Sequence, residues 1–181
     1  MLSKDILEMA EIKKSTKIYA LARFLALQIG QLVNVNELAM LAEISRPSVY
    51  NYLDILEQMN IIIKARPIST NERRTISEKF KVYFTDLGTR NFLVNNFESF
   101  NGRLDQGALL ENAAYVGIKR RLDYEQKIYK MGFFRSKTGS EIDIVVKTKK
   151  ESLYEVKASK KFTSKKGKIK YITKENIWRY L

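Results

Sequence analysis

The feature that most constrains this chain is a break in periodicity at Asn95-Asn96-Phe97-Glu98-Ser99-Phe100-Asn101-Gly102, where polar turn formers interrupt helical and strand patterns alike. Before it, apolar residues recur mainly at helical spacing. Beyond it, one helical stretch gives way to short runs of alternating β-branched residues. The 181 residues are thereby expected to form two small domains, 1–98 and 99–181. Charge divides at nearly the same place. Residues 1–100 hold 13 Lys/Arg and 11 Asp/Glu, a net of +2, whereas residues 101–181 hold 20 and 9, a net of +11. The second half carries nearly all of the formal +13, which points to a polyanion, with nucleic acid the first candidate.

The chain has no Cys and no His. Disulfides, zinc fingers and His-based acid–base or triad chemistry are therefore excluded. Any catalysis has to run on carboxylates, Lys or Tyr, and any metal has to favour oxygen ligands, as Mg²⁺ or Mn²⁺ do. No run approaches the roughly 18 apolar residues of a membrane span, and the start of the chain carries no signal-peptide pattern. A cytoplasmic protein with no membrane partner is expected.

In the first half, Thr16 to Ile29 predicts an amphipathic helix stopped by Gly30. Asn36 is placed to cap a second helix with Leu38, Leu41 and Ala42 inward. Ser45 caps a third, with Pro47 in its first turn and Val49, Leu53 and Leu56 on one face. Two strand-like runs follow, Ile61 to Arg66 and Phe80 to Phe84, the second with Phe80, Val82 and Phe84 on one face. Three helices and a two-stranded wing predict a winged helix-turn-helix. Its third helix offers Arg46, Ser48 and Asn51 to a DNA groove, and its wing offers Lys64, Arg66, Arg73 and Arg74 to phosphates. Asp54 and Glu57 on the same helix oppose that use, so a packing or dimerising role stands beside it.

The second half predicts a helix over Leu104 to Leu122 and three strands over Lys127–Arg135, Glu141–Lys147 and Ser152–Ala158. A further strand is expected over Ile169–Thr173. Asp143 lies among β-branched residues, Glu155 and Lys157 flank Val156 on one strand face, and Glu111 borders an apolar helical row. A carboxylate in such a place is costly unless it is paired or bound to metal. A hairpin symmetric about Lys149 sets Asp143 opposite Glu155, whereas a two-residue turn sets it opposite Val156 and separates the carboxylates. Both registers are open at this point. Lys160, Lys161, Lys165, Lys166, Lys168 and Lys170 form a basic run suited to the phosphate backbone.

Ser140-Glu141-Ile142-Asp143-Ile144-Val145 followed by Glu155-Val156-Lys157 resembles the core of the PD-(D/E)XK nuclease superfamily, with Glu111 matching its helix-borne acid. The whole chain is also similar to the C-terminal region of a family of archaeal and bacterial AAA+ ATPases. The stretches that carry this likeness are Gly30–Asn34, Lys81–Gly88, Gly107–Asn112 and the Glu-Val-Lys triplet. The resemblance implies an α+β chain, a winged helix followed by a restriction-endonuclease-like domain of helix, three-strand antiparallel meander and further strand. It implies Glu111, Asp143, Glu155 and Lys157 as catalytic residues. Mg²⁺ or Mn²⁺ would be held by Asp143, Glu155, Glu111 and the Val156 carbonyl if the site is active. It also implies DNA as partner, an AAA+ module in cis or trans, and a homodimer. Ile142 replaces the Pro of the motif's name, and no phosphate-binding Gly-x-x-x-x-Gly-Lys-Ser/Thr loop occurs, so this chain does not itself supply the ATPase site. Three functions follow as expectations: a metal-dependent endonuclease, a non-catalytic DNA-binding module of an AAA+ ATPase, or a module whose basic surface meets an acidic protein.

Overall fold

A computed structural model describes residues 2–68, 79–136, 140–158 and 168–181, with side chains from residue 15 onward. Helix α1 spans Leu2–Leu27 and so begins well before Thr16, because no Gly or Pro precedes Gly30 to stop it. Helix α2, Val35–Leu41, is capped by Asn34 rather than Asn36. The Asn34 side chain accepts from the backbone N–H of Asn36 and Glu37, the second and third helical residues. Leu38 and Ala42 are buried as expected, but Leu41 is 42% exposed. Helix α3, Arg46–Gln58, is capped by Ser45 and buries Val49, Leu53 and Leu56.

Strands β1 (Ile62–Pro67) and β2 (Lys81–Phe84) pair antiparallel. Asp86, whose side chain accepts from the Thr89 N–H at 2.6 Å, starts helix α4, Leu87–Leu93. A short 3₁₀ turn at Phe100–Gly102 precedes α5, Gln106–Tyr124. Strands β3 (Lys130–Arg135), β4 (Glu141–Lys147) and β5 (Glu151–Val156) form an antiparallel meander, and β6 (Ile169–Ile172) lies parallel to β5.

The architecture is α+β with one mixed six-stranded sheet in the order β2-β1-β3-β4-β5-β6. The expected wing is therefore not a free hairpin. Strand β1 runs parallel to β3 through Arg66↔Gly132 and Pro67↔Phe133, and the Ile68 N–H donates to the Phe133 carbonyl at 2.7 Å. Gly132 makes this junction possible: a Cβ there would lie 1.9 Å from the Arg66 carbonyl oxygen. The sheet thus crosses the position at which the sequence pattern divides.

Two cores lie against this sheet. Leu21, Leu25, Val49, Leu53, Val82 and Phe84 share one, and Tyr83, Ala114, Tyr115, Phe133, Ile144 and Ile172 share the other. Strand alternation puts Val82 and Phe84 on one face of β2 and Lys81 and Tyr83 on the other. Both faces are covered, so Lys81 is a buried charge.

Candidate functional site

The face of β2 that carries Lys81 and Tyr83 meets Glu111 and Asn112 on α5. Lys81 Nζ lies 3.0 Å from Glu111 Oε1 and 2.6 Å from Glu141 Oε1 on β4. The Tyr83 hydroxyl donates to the same Glu111 oxygen at 2.6 Å, and its ring stacks on Tyr115 at 4.2 Å between centroids. Gly30, at φ +73°, sits over this carboxylate, where a Cβ would come within 3.3 Å of Oε1. One residue along α5, Asn112 Nδ2 donates to the Phe84 carbonyl at 2.8 Å while its Oδ1 accepts from the Phe84 N–H at 2.7 Å. The side chain of Asn112 thereby satisfies the open hydrogen-bonding edge of β2 as a neighbouring strand would.

Asp143 and Glu155 lie on the adjacent strands β4 and β5. Hairpin pairs Ile144↔Tyr154, Val145↔Leu153, Val146↔Ser152 and Lys147↔Glu151 are symmetric about Lys149. Continued by one residue, this register sets Asp143 opposite Glu155, the odd-turn alternative of the two. On the other side of β4 the pairing slips between Gly132↔Val145 and Phe134↔Ile142, so Asp143 and Ile144 together oppose Phe133. This is a β-bulge, a device that re-aims a side chain. Asp143 Oδ2 accepts from the Val156 N–H at 2.7 Å, and the carboxylate lies near enough to Glu111 to act on it electrostatically.

Charge within the cluster follows from these contacts. Burial works against the Lys81 ammonium, but Glu111 and Glu141 outweigh it and hold the group above the ordinary lysine range. Burial raises the Glu111 carboxyl; Lys81 opposes this, Asp143 reinforces it, and the net direction is upward. The two directions agree physically, because one ammonium serves two carboxylates, while Asp143 adds negative charge near Glu111. Burial likewise pushes the Tyr83 hydroxyl well above its usual value, with Glu111 adding to the effect.

A divalent cation is the group implied by the nuclease resemblance, and these contacts do not fit it. Glu111 Oε1 already receives an ammonium and a hydroxyl, which take up both of its lone pairs. Glu155 is turned to Lys157, with Lys157 Nζ 3.7 Å from Glu155 Oε2. Among the described residues no group of three Asp or Glu side chains is arranged to hold a metal ion. The structure brings Glu111 and Asp143 together and puts Glu155 and Lys157 beside each other, flanking Val156. Lys81, Tyr83, Asn112 and Glu141, which join the cluster, lie in the stretches that carry the family resemblance but were not expected at a site. The signal for Lys81 was present: alternation places it with Tyr83 on the second face of an apolar strand.

The residues expected to meet DNA lie elsewhere. Arg46 and Asn51 are exposed on α3, Arg66 is exposed on β1, and Lys168 is exposed just before β6. Ser48 serves the helix cap, its hydroxyl 2.9 Å from that of Ser45. Arg73, Arg74, Lys160, Lys161, Lys165 and Lys166 lie outside the described residues. Lys64, expected at phosphates, is instead paired with Asp54 at 2.6 Å and Glu57 at 2.8 Å. The same contacts offset the two acids that opposed DNA on α3. Glu43 is likewise paired with Lys17, and Asp123 with Lys119.

No helix among the described residues is long and apolar enough to cross a membrane. Residues 106–177 match the family model described as a domain of unknown function, DUF4143, a domain found in AAA-ATPase-associated proteins. No curated protein and no solved structure matches the chain. Residues 1–99 match a second family model, described as a domain of unknown function, DUF8612. That match spans more than half of the chain, which therefore belongs to the DUF8612 family.

Proposed function

We propose that the chain is a non-catalytic DNA-binding module that works with an AAA+ ATPase, its first half a winged helix and its second a nuclease-like fold serving as scaffold. The observation that carries this reading is the double ion pair of Lys81 with Glu111 and Glu141. An acid that would have to serve a metal is instead neutralised by a lysine of the preceding half. The likeness of residues 106–177 to a domain of AAA-ATPase-associated proteins supports the partner.

Charge supports DNA as the ligand. The formal charge is +13, of which residues 101–181 carry +11. Arg46 and Asn51 on α3 would enter a groove, while Arg66, Lys168 and the lysines 160–166 would follow the phosphates. Such binding releases condensed counterions and is steeply salt-dependent. Fluorescence anisotropy on a labelled duplex is expected to show an affinity that falls at least about tenfold between 50 and 200 mM salt. Affinity that ignores salt, or no binding at low salt, would contradict the reading and favour an acidic protein partner.

A further inference from the structure

The carboxylates of Glu111 and Glu141 converge on a single point, and that point is occupied by the Lys81 ammonium. Its Nζ is 3.0 Å from one and 2.6 Å from the other, while Asp143 on the bulge of β4 lies close enough to act on Glu111. The Lys81 side chain is almost wholly buried and passes over the Phe133 ring, 5.4 Å from its centroid. Gly30 covers the Glu111 carboxylate from the side of α1. A lysine here is an expensive choice, since an ammonium is desolvated to place it. What the arrangement secures is a fixed positive charge between two acids.

We infer that Lys81 is a tethered counter-ion: its ammonium occupies the position between Glu111 and Glu141 that a divalent cation would otherwise take. The first half of the chain thereby closes the carboxylate cluster of the second half to metal. A mobile cation binds only when its concentration is sufficient. A lysine built into β2 is present whenever the strand is paired, so the cluster is neutralised as part of folding rather than by ligand. The converse is specific. With the ammonium removed and the backbone kept, hard oxygen donors are left around an uncompensated negative charge, the donor chemistry that suits Mn²⁺ or Mg²⁺.

The inference rests on the non-catalytic part of the reading above, but metal uptake and duplex binding are separate measurements, and either can fail alone. The test is a titration of the full chain with Mn²⁺, followed by the electron paramagnetic resonance signal of the free ion. Wild type is compared with Lys81→Met, Glu111→Gln and the double variant. Wild type is expected to take up no Mn²⁺ that depends on Glu111. Lys81→Met is expected to bind one Mn²⁺ per chain at least about tenfold more tightly than wild type. Its melting temperature is expected to rise with added Mn²⁺, and both effects should vanish in the double variant. Wild-type uptake that Glu111→Gln abolishes would overturn the inference. So would a Lys81→Met chain that Mn²⁺ neither binds nor helps to fold.

Discussion

Lys81 and Glu111 stand 30 residues apart in the chain and 3.0 Å apart in space, joining the edge strand of the sheet to the long helix that packs on it. The pair is nearly dry, so its two members are not independent. Removing the cation alone strands Glu111 and Glu141, and a broken buried pair typically costs about 3–5 kcal/mol. Denaturant unfolding of Lys81→Met is expected to show a loss of that order. Adding Glu111→Leu to Lys81→Met should restore part of it, giving a coupling energy above about 1 kcal/mol. Strictly additive losses would mean that the two groups do not depend on each other.

Asn112 makes an independent claim about the same helix. It is 1% exposed and makes both of its hydrogen bonds to Phe84. Asn112→Ala would leave a buried peptide N–H and C=O on the edge of β2 without partners. The expected cost is about 2–4 kcal/mol, from two lost bonds and the groups left unsatisfied. Asn51→Ala, on the exposed face of α3, should stay within about 0.5 kcal/mol and serves as the control. Equal losses would show that Asn112 does not hold the strand edge.

Acid should weaken the structure at a second junction. Arg103 grips Asp105 through both carboxylate oxygens, at 2.8 and 2.9 Å, and Arg90 adds a bond at 2.6 Å while its Nε donates to the Ala26 carbonyl. These contacts, that with Arg103 first, bring the Asp105 carboxyl down to about 2 from an ordinary 3.8. A lowered carboxyl contributes stability that is complete above the ordinary value and is lost as pH falls through the lowered one. Stability should thus fall by about 1 kcal/mol between pH 4 and pH 2 on account of this group, allowing for its partial exposure. Chemical denaturation across that range should show a shallower acid decline in Asp105→Asn. An unchanged decline would remove Asp105 from the account.

Much of this arrangement was legible in the sequence, and the exceptions share a cause. Local signals were reliable: Ser45 as a cap, Val49, Leu53 and Leu56 as one buried face, and Lys149 as the centre of one of two hairpin registers. The carboxylates Glu111 and Asp143 stood out because each interrupts an apolar pattern, and Glu155 because it shares a strand face with Lys157 across Val156. What was not legible is long-range. Nothing near Lys81 announces that its partner is Glu111, and nothing near Asn112 announces Phe84. The bulge at Asp143 and the parallel junction at Gly132 depend on how strands meet, which periodicity does not encode. Asn34 displaced Asn36 as a cap because the helix begins two residues earlier than its apolar residues suggested.

If the chain holds DNA without cutting it, as proposed, one gel reads both properties. Supercoiled plasmid would be incubated with the full chain and Mg²⁺ at low salt and run before and after removal of the protein. Retarded plasmid is expected before removal and intact supercoiled plasmid after it. Nicked or linear plasmid after removal, formed by wild type and lost in Asp143→Ala, would contradict the proposal.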